Sequence, residues 1–489
     1  MFGGGQQGRD APAACLPQGA DRPSSFAFPA SRRGGARRLS VTTDSYAGPH
    51  AAVWRSTAAR VVKAIGFPQG SPMATSTNTA AGVADAHAPD SPYAFFRMGL
   101  SLLIASVAGV GMWAVIVVLP YVQTEFGVDR AAASVPYTLT MLGFAAGTIG
   151  LGRLTDRAGI MAPLLIAGAS QGVGFVLAGL APSLFIFSTA HLLIGVGSGA
   201  GFGPMMADIS HWFVKRRGMA VVIVAAGNYV AGAVWPLVIN AALPHMGWRG
   251  TYDAIGLVVI AILLPAAFVL RRRPSAHMMA VAASQAVGNG AGISRRLLLA
   301  LLILAGFSCC MAMSMPQVHI VAYCGDLGYG PTRGAEMLSL MLFLGIASRI
   351  GSGFVADAIG GVPTLLIGSF MQGVAMLLYL YFDGLTSLYV VSGIFGLFQG
   401  GIVPMYAVIC RELLPPKEAG AKIGLVVSAT ILGMAFGGYA SGVIFDLTGS
   451  YRMAFLNGVL WNAVNLAIAA WLLWSQGKPQ RAAALATRA

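Results

Sequence analysis

Charge is what this sequence has least of. Asp, Glu, Lys and Arg make up 10% of its 489 residues, against 56% apolar residues. A water-soluble domain carries about a quarter charged residues, so most of this chain's exterior must face an apolar medium, which the bilayer supplies. A soluble interaction protein is excluded on that ground. Cysteine is nearly as scarce: Cys15, Cys309, Cys310, Cys324 and Cys410 are the only five, four of them in or beside apolar runs, which is no disulfide framework. No G-x-x-x-x-G-K-[ST] loop occurs, which removes an ATP-driven pump and a nucleotide partner. The glycine run from Gly195 to Gly203 lies inside an apolar stretch and reads as a close-packing helix face. No His, Asp and Glu gather near one membrane face, as a membrane enzyme would need. The run Cys309-Cys310-Met311-Ala-Met313-Ser-Met315 looks like a soft-metal cluster, but on a helix its members point to different faces, so it reads as flexible apolar lining. Neither an enzyme, a metal site nor a cofactor is expected.

Basic residues outnumber acidic ones, 31 to 17. Their placement argues against nucleic acid, because nine precede Pro72 and most others sit in short connections between apolar runs. No hydrophobic period persists through residues 1–92, which read as a disordered extension. The Arg- and Ser-rich stretch from Arg22 to Arg60 also has the look of an organelle transit peptide. The favoured reading takes Met73 as the true start, opening a short polar tail. No secretory signal peptide is visible.

Runs of about twenty apolar residues follow, the length that a hydrocarbon core of about 30 Å asks of a helix. They are Gly99–Tyr121, Ser134–Gly152, Met161–Leu180, Leu184–Asp208, Met219–Ala242, Tyr252–Leu270, Leu297–Val318, Ala335–Val355, Thr364–Phe382, Leu388–Cys410, Gly424–Phe445 and Ala454–Trp474. Connections after even-numbered spans hold Arg153, Arg157, Lys215, Arg216, Arg217, Arg271, Arg272, Arg273, Arg295, Arg296, Arg411, Lys417 and Lys422. Those after odd-numbered spans hold Arg130, Arg249, Arg333 and Arg452. That asymmetry puts the even connections and both termini in the cytoplasm and the chain in the inner or plasma membrane. The longest connection, Arg271–Arg296, is basic at both ends and Ala/Gly/Ser-rich between, like a flexible tether. The expected division is a six-helix bundle over 93–273, a cytoplasmic linker over 274–293, a second bundle over 294–475 and a cytoplasmic tail over 476–489. The fold class is an all-α membrane protein of twelve transmembrane helices in two pseudo-symmetric bundles.

The halves echo each other. Gly152-Arg-Leu-Thr-Asp156-Arg157-Ala-Gly159 follows span two, and Gly353-Phe-Val-Ala-Asp357-Ala-Ile-Gly360 follows span eight, 201 residues on. Gly201-Phe-Gly-Pro204 returns as Gly401-Ile-Val-Pro404, offset by 200. Two matches at nearly one offset mark a duplicated six-helix unit, the architecture of a secondary transporter. In G-x-x-x-D-x-x-G, small residues let helices approach closely, and Asp can accept from N–H groups at the start of the next helix, making a lock that opens when the bundles rock. The alternative is a plain helix stop and N-cap. This element resembles the signature loop of the major facilitator superfamily, without the basic residues that usually follow the last glycine.

Trp212-Phe-Val-Lys215-Arg216-Arg217-Gly-Met-Ala220-Val-Val-Ile-Val-Ala-Ala226-Gly227 resembles a motif of the monocarboxylate transporter family, with Val222 and Val224 as departures. Thr124-Glu-Phe-Gly127-Val-Asp-Arg130-Ala and Gly247-Trp-Arg249 are similar to that family and to the oxalate–formate exchangers. The resemblance runs from about Tyr93 to Trp474.

Arg349 lies inside span eight, roughly 6 Å from its middle at 1.5 Å per residue. A cation there costs of order 2.5–3.5 kcal/mol, and its planar fork suits a carboxylate bidentately. The alternatives are snorkelling toward the headgroups or a structural bond to a helix-end carbonyl. Both resembled families carry a span-eight Arg that binds substrate carboxylate. The other charges they keep align here with Tyr121, Gly345 and Thr430. Losing the second cation argues against a dicarboxylate. The resemblance therefore implies a secondary transporter for a small organic anion, a monocarboxylate, with a coupling ion or counter-substrate left open. Further candidates to line the cavity are Asn228 and Gln399, then Trp113, Tyr121, Tyr137 and His319. Gly152, Asp156, Arg157, Gly159, Gly353, Asp357 and Gly360 are gate candidates. Asp208, at the cytoplasmic end of span four near Lys215–Arg217, joins them as a gate or structural ion pair, with Arg157 as one partner within reach. The rival readings are a carrier of a non-carboxylate solute with Arg349 structural, and, further off, a membrane enzyme or sensor.

Overall fold

A computed structural model describes residues 89–274, 294–414 and 416–486, with side chains from 415 to 421 and beyond 475 left out. The N-terminal extension, most of the tether and the tail's side chains lie outside the described residues. Every described element is a helix. Eleven stretches are long and apolar enough to cross a membrane, from Pro92–Phe126 to Tyr451–Ser475. One of them, Arg217–Val269, is two helices joined across Gly247, whose φ of 63° is not helical. Twelve spans result, in chain order as expected. Their ends overrun the apolar runs, because a helix continues into the interface where apolar composition stops. Span seven is Arg295–Asp326, so His319 lies within it rather than after it.

Pairs of interactions 201 residues apart repeat through both halves. In span three Gln171 donates to the carbonyl of Ala108 in span one at 2.8 Å, and in span nine Gln372 donates to that of Cys309 in span seven at 3.4 Å. A Cβ on Gly195 of span four would stand 2.1 Å from the Thr140 carbonyl oxygen of span two. One on Gly396 of span ten would stand 2.2 Å from that of Met341 in span eight. Only glycine permits backbones this close, and in lipid such contacts stand in for the missing hydrophobic drive. The glycine run of span four is thus the packing face its sequence suggests. Gly159 and Gly360, the last glycines of the duplicated loops, have φ of 79° and 90°. Side chains other than hydrogen strain that conformation.

Apolar side chains such as Phe185 and Leu447, both 80% exposed, stud the outer surface. On a water-soluble protein they would be a liability; against acyl chains they cost nothing. Spans one, four, five and ten are broken mid-membrane, at Gly109, around Gly201-Phe202, at Ala226 and at Gly400-Gly401. Such breaks are tolerated only where the freed backbone faces protein or a cavity, and they point inward to the candidate site.

Candidate functional site

Each helix break frees carbonyls that have no N–H four residues on. Arg349 collects two of them. Its Nη1 donates to the Ala225 carbonyl at the break of span five, 2.8 Å away, and its Nε to the Gly400 carbonyl at the break of span ten, 3.3 Å away. The guanidinium lies 4.4 Å from the centre of the Tyr229 ring. In the first half Thr148 occupies the equivalent position, and its hydroxyl donates to the Gly199 carbonyl at 3.3 Å. Arg349 keeps that bond and, being longer, also crosses to the other half. It is only 6% exposed, so neither the lipid nor the headgroups receive it. Snorkelling is ruled out here; the helix-end carbonyls are real partners.

Bonds from a charged donor contribute about 1.5–3 kcal/mol each and a desolvated cation–π contact about 2, enough to offset the insertion cost. They do not cancel the charge. Among the described residues three arginines are buried, Arg97, Arg130 and Arg349. Arg97 pairs with Asp208 and Arg130 with Asp326. Arg349 has no carboxylate.

Gln399, fully buried, precedes Gly400; its carbonyl oxygen accepts from Gln317 of span seven, and its amide nitrogen has no partner. Asn228 precedes Tyr229; its side-chain oxygen is also buried without a partner, while its backbone carbonyl accepts from Trp113 at 3.1 Å. Arg349, Gln399, Asn228 and Trp113 therefore gather around the breaks of spans five and ten. Tyr137 is 1% exposed, its hydroxyl unpaired, against Gly438 of span eleven. Tyr121 is 38% exposed toward the end of span one. His319 belongs to a different cluster.

That cluster lies at the odd-connection face, and charge counting alone did not reveal it. Arg130 begins span two, 6% exposed. Its guanidinium donates to the Tyr451 hydroxyl at 2.7 Å and to Asp326 at 3.1 Å, and its backbone N–H donates to Asp446 at 2.9 Å. Asp326, Asp446 and Tyr451 all belong to the second half. A carboxylate from one half thus sits on a helix N-terminus of the other, where the dipole favours it. The signal was available: Asp129-Arg130 is the one charged pair in the span-one exit motif. Its neighbour Glu125 takes Trp248 and Arg249, the latter at 2.7 Å, so two separately similar motifs form one clasp within the first half.

The even-connection face is different. Asp156, Arg157 and Asp357 are exposed, and among the described residues none bonds across the halves. A Cβ on Gly152 or Gly353 would meet open space, so the close approach expected of these glycines does not occur in this state. Neither Asp caps the following helix. Gly361, which starts span nine, instead donates to Glu412 of span ten at 3.0 Å. Asp208 does not pair with Arg157. It receives Arg97 bidentately, at 2.8 and 2.9 Å, because Arg97 is buried beside it while Arg157 points to solvent. Arg97 also stacks 4.5 Å from Trp212, giving the aromatic pair of the span four–five motif a structural role. Nearby His211 is held below its ordinary value by burial, against a pull upward from Asp208.

A twelve-span membrane bundle with broken helices, duplicated halves and a buried cation at their junction defines an integral membrane carrier. The chain belongs to the major facilitator superfamily, whose family model matches residues 101–387 and 302–488. It is similar to monocarboxylate transporter 13 of Bos taurus, 27% identical over 62% of this chain and 71% of the relative. It is also similar to agnestins efflux protein AgnL12 of Paecilomyces divaricatus, 25% identical over 70% of this chain and 78% of the relative. Among solved structures, an inward-facing, occupied bacterial homologue of the human lysosomal transporter Spinster superposes with a TM-score of 0.59, covering 79% of this chain and 96% of its own, at 14% identity. A point mutant of the nucleoside transporter NupG gives 0.61, over 77% and 99%, at 12% identity. At such identities the structures speak for the fold.

Proposed function

We propose that this carrier moves a small monocarboxylate by alternating access, with Arg349 as its anion site and the even connections in the cytoplasm. One observation carries the reading: Arg349 is the buried arginine without a carboxylate, and its present partners are backbone oxygens that a stronger acceptor can replace. A carboxylate bonded bidentately to the fork supplies the full negative charge that two carbonyl dipoles lack. The unpartnered Gln399 amide and Asn228 oxygen supply further contacts. Because Arg349 joins span eight to the break in span five, a substrate that takes its N–H groups also loosens a bond between the halves. Binding and rocking are thereby linked. The relatives named as monocarboxylate transporters support the substrate class. With bonds across the halves concentrated from mid-membrane to the Arg130 face, the state described is inward-facing, as Asp156, Arg157 and Asp357 open on the cytoplasmic side.

The test is counterflow in proteoliposomes. Short aliphatic monocarboxylates are expected to compete, and their isosteric neutral amides are not. Equal competition by the amides, or none by any carboxylate, overturns the anion site. A second reading rests on the same two carbonyls: Arg349 as a strut across two helix breaks in a carrier of uncharged solutes, consistent with a relative named as an efflux protein. It predicts competition by neutral compounds alone.

A further inference from the structure

His319 is completely buried on span seven, and its hydrogen bonds fix where its proton sits. Nε2 lies 2.8 Å from the Gly438 carbonyl of span eleven. A carbonyl only accepts, so Nε2 carries the hydrogen. Nδ1 is then a lone pair, and it faces the Tyr451 hydroxyl of span twelve at 3.4 Å. That hydroxyl already accepts from Arg130 Nη1 at 2.7 Å, leaving its own proton to point at Nδ1. The bonds therefore run one way, from Arg130 of the first half through Tyr451 to a neutral His319 of the second.

A proton added at Nδ1 breaks this order at two points. The Tyr451 hydroxyl would be offered an N–H from both sides, with its own hydrogen unplaced. An imidazolium, itself cut off from solvent, would also stand behind a guanidinium that repels it. The other groups facing the cluster do not relieve this. Asp326 of span seven is bonded to Arg130 Nη2, and Asp446 of span eleven to the backbone N–H groups of Arg130 and Ala131. Tyr323 of span seven and Phe445 of span eleven present only rings to Tyr451, at 5.3 and 4.4 Å. Among the described residues no carboxylate touches the imidazole.

We propose that His319 is a proton-binding site coupled to the outer gate, charged when the halves part on the Arg130 face and neutral when Arg130 closes onto Tyr451. The proton enters from the solution on that face, by way of a cavity of about 530 Å³ lined by Gln123, Thr124, Arg130 and Asp326, and returns from Nδ1 to water in that cavity as the gate closes. By reciprocity, acid on that side shifts the carrier toward its outward-open state. A proton that returns to the solution it came from is not carried across, so this is a pH-sensitive gate and not a coupling ion; it rests on the carrier reading only for the exchange between two gated states.

The experiment needs no substrate. Ala133 is 1% exposed, packed with Leu119 and Ala322 across the closed gate, while Thr124 lies in the outer cavity, which Ala322 also borders. In full-length protein with the native cysteines replaced, an impermeant thiol reagent is applied to Ala133→Cys and, separately, to Thr124→Cys. The ratio of the two rates cancels the pH dependence of the thiol itself. From about pH 7.5 to about pH 5.5 the ratio is expected to rise by up to about tenfold, the factor set by a one-unit difference in proton affinity between states. In His319→Gln it should be flat. A ratio insensitive to acid with His319 present, or an acid response that survives His319→Gln, overturns the proposal. Tyr451→Phe guards against a misfolded glutamine variant: it should raise the neutral-pH ratio and shrink the acid response, and an unchanged response also counts against the proposal. If no carboxylate competes in counterflow, the anion reading fails while these labelling results stand.

Discussion

Arg97 and Arg349 are buried to nearly the same degree in the same protein, yet their surroundings serve opposite ends. Arg97 has a bidentate carboxylate, an aromatic face and the Leu270 carbonyl at 3.3 Å, a closed set that leaves no place for a ligand. Removing one partner of such a pair strands the other charge, so Asp208→Asn should cost about 3–5 kcal/mol. Thermal unfolding of the purified protein in detergent would register this as a large fall in midpoint, and an unchanged midpoint would mean the pair is solvated. Arg349 lacks that closure. Its position inside span eight was legible in the sequence, because a lone cation in an apolar run is conspicuous. Its carbonyl partners were not, since nothing in composition says where a neighbouring helix will break. Asp208 does form an ion pair, but its partner was not legible for a related reason: Arg157 is near it in the loops, while Arg97 comes from the start of span one, which the apolar-run boundaries placed outside the span.

Helices were the most readable level, and their pairing rests on glycine. The duplicated loops and the Gly201/Gly401 echo gave the repeat from sequence. The structure adds the contacts behind it, Gly195 on span two and Gly396 on span eight, each too close for a Cβ. Gly396→Ala is expected to destabilise by about 1–3 kcal/mol, because the obstructing atoms are backbone and cannot turn aside. Gly218, beside which a Cβ meets open space, is the control: it lies in the first turn of helix Arg217–Ala225, and Gly218→Ala should be nearly neutral or stabilising, since alanine favours the helix over glycine. Parallel unfolding curves checking the two would contradict the packing account if they coincide. Gly109 and Ala226 show what periodicity misses. Both sit in unbroken apolar runs, and the breaks beside them lie where span five packs closely against span one. A Cβ on Gly109 would meet the Ala231 side chain at 2.6 Å.

At the scale of the whole molecule the two faces are unequal. Arg130 ties the halves together on one side through Asp326, Asp446 and Tyr451, while Gly152 and Gly353 on the other side border empty space. Under the proposed alternating access, that space receives the opposite half when the carrier turns over. Gly353→Leu should therefore leave the unfolding midpoint of this state unchanged and yet suppress transport. A loss of stability in step with transport would mean that the glycine serves the fold rather than the motion. Sequence marked these loops as gate candidates but could not say which side is shut, since both states share one sequence.

The central claim is that a fork-shaped cation, uncancelled by any protein carboxylate, holds the passenger. Uptake of a short monocarboxylate should be measured in proteoliposomes for the native carrier, Arg349→Lys and Arg349→Ala at matched reconstitution. A point charge cannot reproduce bidentate bonding, and the loss of one charge-assisted bond worth about 1.5–3 kcal/mol predicts uptake reduced by about tenfold or more in Arg349→Lys, with none detectable in Arg349→Ala. Full uptake in either variant would contradict the account.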